Sequence, residues 1–138
     1  MQRYTVTVER RDARHAEAAV RAFRLTLGAR RADLEAGFNP VETLLAALGD
    51  CLLTSLDLVA GLSRIPLDAV RIEVSGERQD RPPTLTAVRY RLFARTPVPA
   101  ERFGRLVALA ERNSTVFQTL SRAVPVTGEW ACRDPGTE

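Results

Sequence analysis

The sequence predicts an α+β fold. Three observations predict it: stretches of period-two alternation near both ends and in the middle of the chain, one long apolar run beginning at Asn39-Pro40, and a period-3.6 pattern after Pro99.

Tyr4, Val6 and Val8 alternate with Arg3, Thr5, Thr7 and Glu9, as in a half-buried strand. The polar stretch Arg10 to Glu17 is expected to turn the chain. Phe23, Leu25 and Leu27 alternate with Arg24 and Thr26, a second strand expected to pair with the first as a hairpin. Gly28 to Phe38 is then read as a long polar loop, a kind of segment that is often functional.

From Asn39 the chain reads NPVETLLAALGDCLLTSLDLVAGLSRI. Asn39 suits an N-cap, Pro40 the first helical turn, and Glu42 the positive end of the helix dipole. The helix is expected to reach Gly61 or Ser63, with Pro66 preventing continuation. Its faces are almost all apolar: Leu44, Leu45, Leu48, Leu52, Leu53, Leu56, Leu58 and Val59 leave few polar positions. Such a helix either spans a membrane or is enclosed in a core. Asp50 and Asp57 lie near its middle, and each costs about 2.5–3.5 kcal/mol at a bilayer centre, which argues against a span. One small sheet cannot enclose this helix. The expectation is an intertwined homodimer in which two long central helices cover each other.

Val70, Ile72 and Val74 alternate with Arg71, Glu73 and Ser75, a third strand, and GERQDRPP is read as the turn after it. Leu85, Val88, Tyr90 and Leu92 make a fourth strand whose phase slips near Ala87, the mark of a bulge. After Pro99, Phe103, Leu106, Val107 and Ala110 follow helical spacing. Asn113 and Ser114 interrupt that helix. A short third helix carries Val116, Phe117 and Leu120, with Thr115 and Gln118 as its expected capping box. Val124, Val126 and Trp130 mark a last strand, followed by a polar tail from about residue 133. The order is β-β-α-β-β-α-α-β, a single domain over residues 1–138 without internal repeats.

The composition is that of a globular chain, with 45% hydrophobic and 27% charged residues among 138. All 20 basic residues are arginines, interleaved with 17 acids, for a net charge of +3. That pattern reads as a solvated mixed surface rather than a cationic face for nucleic acid. Two cysteines, Cys51 and Cys132, are too few for a secreted disulfide scaffold, and MQRYTVTVERR has no apolar signal region. A reduced, cytoplasmic protein is expected.

Conventional catalytic equipment is sparse. His15 is the sole histidine and falls in a polar turn, which argues against a Ser-His-Asp triad or a histidine-rich metal site. No P-loop, GxGxxG or CxxC occurs, and no cofactor or metal is expected. Cys51 remains, with two readings. It is a small core hydrophobe, or it is a nucleophile, in which case the thiolate must be held by an arginine or an Arg–Glu pair. Glu42 lies nine residues earlier on the same helix. That is about 13.5 Å along the axis and on the opposite side, so a link to Cys51 needs an intervening arginine or a contact across a dimer.

NPVETLLAALGDC resembles the signature of the OsmC/Ohr superfamily: a loop ending in an Asn/Ser-Pro pair, an early Glu, and a Cys eleven residues after the Pro on an apolar helix. AERNSTVFQTLSRAVPV resembles the second signature of that family, a helix break that carries a second Cys before a short helix and the last strand. The resemblance covers about the whole chain. It implies an intertwined homodimer with two symmetric interface sites. It also implies a cysteine thiolate, held by an Arg and a Glu, that attacks an organic hydroperoxide to give an alcohol and a sulfenic acid. The second Cys then closes a disulfide that an external dithiol reopens.

By this resemblance Cys51 is the peroxide-reacting cysteine and Glu42 the glutamate. The second Cys position is Ser114, so that disulfide cannot form there, and Ser114 is a second candidate cap for the short helix. Glu42 follows Pro40 by two residues, as in the less characterised OsmC-like branch, and Asp50 directly precedes Cys51. Arg10, Arg11, Arg14, Arg30 and Arg31 are all candidates for the arginine, and Cys132 is the one other thiol that could resolve Cys51. The reading is a one-cysteine hydroperoxide reductase, active in the oxidative stress response, that relies on an external thiol. Its alternative is a non-catalytic dimer of the same fold that binds a small apolar ligand at its interface.

Overall fold

The computed structural model, which describes residues 1–136, is α+β, with two three-stranded sheets and three helices. Two compact units divide it, Met1–Leu44 and Leu45 onward.

In the first unit, β1 (Thr7–Arg10), β2 (His15–Val20) and β3 (Phe23–Gly28) form an antiparallel sheet in that order. Val8 stands opposite Ala18, and Ala18 opposite Leu25. The strand expected from Arg3 begins only at Thr7, and the stretch expected to turn the chain does so over residues 11–14, after which it opens an additional strand, β2. Consequently Phe23–Gly28 pairs with β2 and not with β1. The segment HAEAAV carries alanines where a strand usually carries β-branched residues, so it has little intrinsic signal; pairing on both sides makes it a strand. One face of this sheet leaves Val8, Phe23 and Leu25 more than half exposed, at 58%, 65% and 55%.

The loop after β3 is tied down rather than loose. The Gly28 N–H donates to the Phe38 carbonyl at 2.9 Å, and the Ala29 N–H to that of Arg14 at 2.8 Å. The Arg14 guanidinium grips the Asp33 carboxylate through two bonds, of 2.5 and 3.0 Å. Gly37 has φ +130°, a conformation that L side chains rarely adopt. At the loop's end Asn39 and Glu42 form a reciprocal capping box. The Glu42 N–H donates to Asn39 Oδ1 at 2.8 Å, and the Asn39 N–H to Glu42 Oε1 at 3.0 Å.

Helix α1 (Pro40–Leu62) ends where Pro66 and the preceding turn were expected to end it. Most of it belongs to the second unit, with β4 (Asp68–Asp80), β5 (Pro83–Arg95), α2 (Ala100–Asn113), α3 (Thr115–Leu120) and β6 (Val126–Arg133). β4 and β5 are antiparallel neighbours, and β6 returns through α2 and α3 to lie parallel to β5. GERQDRPP is not a turn throughout: β4 continues to Asp80, and only Arg81 and Pro82 connect it to Pro83. This hairpin end is exposed on both faces, so no burial imposes alternation on its sequence. The expected bulge is present, with Glu77 opposite Ala87 but Arg78 opposite Leu85, which leaves Thr86 as the extra residue. In the expected polar tail, Arg133 instead ends β6, and residues 137–138 lie outside the described residues.

The core joins Leu48, Leu52, Leu56 and Val59 of α1, Val88, Tyr90 and Leu92 of β5, and Phe103, Leu106 and Val107 of α2. Gly49 lets α1 close on β4, since a Cβ there would stand 3.3 Å from the Ile72 and Val74 methyls. Among the described residues α1 alone is long and apolar enough to cross a membrane, but one side of it is packed in this core. Its other side is open: Leu58 and Leu62 are 54% and 78% exposed. The outer sheet face pairs its charges, Arg89 with Glu77 at 2.7 Å and Arg91 with Glu129 at 3.4 Å.

Candidate functional site

Cys51 lies on α1 at the border between its buried and open sides, half-buried, with Leu48 and Leu52 inside and Asp50 and Thr54 outside. The break between α2 and α3 meets it there. Ser114 is extended (φ −88°, ψ 112°), ends α2 and begins α3, and is fully buried. Its Oγ accepts the Phe117 N–H at 3.1 Å, which caps α3. The same hydroxyl donates to the Cys51 sulfur, 3.0 Å away. The cap of α3 is therefore Ser114 and not the expected Thr115–Gln118 box; Gln118 instead donates its side-chain amide to the Glu111 carbonyl at 3.1 Å.

A second polar contact lies one helical turn before Ser114. The Tyr90 hydroxyl, in the core, donates to Glu111 Oε2 at 2.6 Å. Burial first, and this bond second, push the phenol well above its ordinary range, so it stays a donor. The ring fills the space left by Gly128 on β6, where a Cβ would stand 2.0 Å from Tyr90 Cζ. Sequence reasoning missed both Tyr90 and Glu111. The only signal was a glycine inside the last strand, and its meaning depends on knowing that it faces Tyr90.

The other sequence candidates are placed elsewhere. Glu42 caps α1, and α1 keeps it apart from Cys51 in one chain as the helix arithmetic requires. Cys132 is half-buried on β6 opposite Ala94, its sulfur 4.0 Å from the Val98 carbonyl just before α2. Ser114 follows α2, so the helix separates the two places by roughly 20 Å along its axis. A disulfide needs Cα atoms within about 7 Å, which Cys51 and Cys132 of one chain do not reach. Both thiols are free. Among the loop arginines, Arg11 pairs with Glu17 at 2.6 Å and Arg14 with Asp33, whereas Arg30 and Arg31 line a shallow hollow. His15 begins β2 instead of sitting in a turn, and its Nδ1 is 2.9 Å from Asp12. The Asp12 carboxyl is lowered first by the Arg14 backbone N–H and then by His15.

No group of three or more metal-ligating side chains occurs among the described residues. A groove of about 600 Å³ on the outer sheet face is lined by Glu73, Ser75, Arg89, Arg91, Thr127 and Glu129. Cys51 and Ser114 bring a free thiol and a buried hydroxyl into contact. No second thiol of the chain is in reach of Cys51 to close a disulfide.

A family model described as OsmC-like protein matches residues 31–129. No curated protein matches the sequence. Among solved structures, an OsmC-like protein from Mycoplasma pneumoniae aligns with a TM-score of 0.88 at 20% identity, over 96% of this chain and 98% of that one. An organic hydroperoxide resistance protein OsmC from Legionella pneumophila, described as a predicted redox protein, aligns with a TM-score of 0.72 at 19% identity, over 95% and 99%. OhrB, an organic hydroperoxide resistance protein of Bacillus subtilis, gives 0.66 at 18%, over 94% and 98%. At these identities the likeness is one of fold.

Proposed function

This chain belongs to the OsmC-like protein family, and from that premise we propose that it is a one-cysteine, thiol-dependent organic hydroperoxide reductase whose reacting sulfur is Cys51. The observation that carries the reading is the Ser114 hydroxyl aimed at that sulfur from 3.0 Å. Solved relatives in fold named for organic hydroperoxide resistance favour the same chemistry.

In the proposed cycle the Cys51 thiolate attacks the distal peroxide oxygen. The O–O bond breaks, the sulfur is oxidised to sulfenic acid, and the alkoxide takes a proton and leaves as the alcohol. With Ser114 where a second thiol would stand, the sulfenic acid condenses with an external thiol, releasing water and leaving a mixed disulfide. A second external thiol then attacks that disulfide and restores Cys51. Glu42 is assigned the part of a carboxylate that orients an arginine toward the sulfur across a homodimer, since within one chain α1 holds it away.

The homodimer is itself part of the proposal. Two observations support it: the open side of α1 with Leu58 and Leu62, and the open face of the first sheet with Val8, Phe23 and Leu25. Monomeric proteins seldom leave such apolar surface uncovered. The cytoplasm, with its supply of reduced thiols, suits both the free cysteines and the cycle.

The test is consumption of cumene hydroperoxide with dithiothreitol by the purified protein and its Cys51→Ser variant. Turnover that depends on Cys51 is expected. Equal consumption by the two would overturn the reading. An apolar ligand retained through purification, with no turnover, would favour a binding protein on the same fold.

A further inference from the structure

We infer that Glu111, anchored by Tyr90, is a positioning residue that holds the Ser114 hydroxyl on the Cys51 sulfur, an inference that rests on Cys51 being the reactive sulfur. The contacts run without a gap through one compact unit. Gly128 leaves room for the Tyr90 ring, and the Tyr90 hydroxyl holds Glu111 Oε2 at 2.6 Å. The Glu111 carbonyl accepts the Ser114 N–H at 3.2 Å and the Gln118 side chain at 3.1 Å, which closes the break between α2 and α3. Ser114 Oγ then takes the Phe117 N–H and gives its own proton to sulfur.

Each step constrains the next. A helix end ordinarily frays, because its last carbonyls lack partners. Here the last turn of α2 is pinned from both sides: its side chain by a phenol with 1% exposure, its carbonyl by the start of α3. A hydrogen bond from a hydroxyl to a sulfur weakens steeply with misalignment. A loosened α2 terminus would therefore weaken the Ser114 contact before it unfolded the protein. Tyr90 and Glu111 need not touch Cys51 to tune it.

The experiment is the pH profile of Cys51 alkylation by iodoacetamide, read by mass spectrometry, with Cys132 as internal control. The variants are Ser114→Ala, Tyr90→Phe, Glu111→Ala and Glu111→Gln. The first three are expected to move the profile midpoint up by about one pH unit, a tenfold change in the thiol–thiolate balance, with the high-pH plateau unchanged. Glu111→Gln should keep the parent midpoint, because its amide oxygen still accepts from Tyr90. The Ser114→Ala/Tyr90→Phe double variant should match Ser114→Ala alone, since both act through one contact.

A parent-like midpoint for Tyr90→Phe and Glu111→Ala beside a shifted Ser114→Ala would overturn the inference, as would an additive double variant. A midpoint lowered by Glu111→Gln would overturn it too, since the carboxylate charge would then act directly. A raised plateau rate with an unmoved midpoint would overturn it as well, since access to the sulfur and not the Ser114 contact would then have changed. Glu111→Ala, at a half-buried helix end, carries the test if Tyr90→Phe fails to fold. Hydroperoxide turnover is scored separately, so the failure of one reading is distinguishable from the failure of the other.

Discussion

Ser114 and Cys51, 63 positions apart in the chain, meet with Oγ and Sγ at 3.0 Å. The contact joins the middle of α1 to the break between α2 and α3, and the hydroxyl is already committed as an acceptor to the Phe117 N–H. This geometry makes a chemical prediction. A sulfur in place of Oγ sits on a longer bond, which closes part of the gap to the ~2.05 Å of a disulfide and leaves the rest to a small side-chain adjustment. Under mild oxidation, Ser114→Cys should lose two hydrogens in intact-mass spectrometry and gain a peptide linking positions 51 and 114. Linkage through Cys132, or no linkage, would show that the two side chains do not meet in solution.

Gly128 and Tyr90 supply a prediction about packing. A methyl group at 128 would stand 2.0 Å from a ring carbon that is buried and hydrogen-bonded, leaving no cheap displacement. Gly128→Ala should cost about 3 kcal/mol or more in urea denaturation. Gly61, near the end of α1, has nothing within 4 Å of its own missing Cβ. There the same substitution should stabilise by about 0.5–1 kcal/mol, through helix propensity alone. Similar values at the two positions would contradict the packing of Tyr90 on β6.

Arg14 and Asp33 supply the pH prediction. The two bonds from the guanidinium hold the Asp33 carboxyl at about 2, below the ordinary 3.8. A folded value below the unfolded one stabilises the folded chain above the unfolded value, and that contribution disappears as pH falls through about 2. The parent should therefore show a falling contribution between about pH 4 and 2 that Arg14→Ala lacks. A carboxyl-detected NMR titration should place Asp33 near 2 in the parent and near its ordinary value in Arg14→Ala. The same midpoint in both proteins would sink the assignment.

The parts legible in the sequence were those with strong local signals. The Asn39 cap, the length of α1, the bulge beside Ala87 and the break at Ser114 each follow from residue types at fixed spacings. β2 was not legible, because alanines at 16, 18 and 19 become a strand only through pairing on both sides. The end of β4 was hidden for the opposite reason, since an exposed hairpin end carries polar residues that read as a turn. At the site, the sequence named Cys51 and Ser114, and their contact needed the fold. Tyr90 and Glu111 were out of reach, because an aromatic in an alternating strand and an acid on an amphipathic helix are ordinary features until a distance of 2.6 Å joins them.

Glu42 caps α1, and the proposed function gives it a second part that substitution separates from the first. One oxygen accepts the Asn39 N–H at the start of α1, a capping role that glutamine can keep. The proposed chemistry needs the negative charge, which glutamine removes. Glu42→Gln should therefore leave the denaturation midpoint nearly unchanged while lowering Cys51-dependent hydroperoxide consumption about tenfold or more. Asn39→Ala should do the reverse, costing about 1 kcal/mol of stability with little effect on turnover per folded molecule. Turnover unaffected by Glu42→Gln would reduce Glu42 to a helix cap. Cys51 and Ser114 would then remain as the working residues, and the sulfur would have to be activated without that carboxylate.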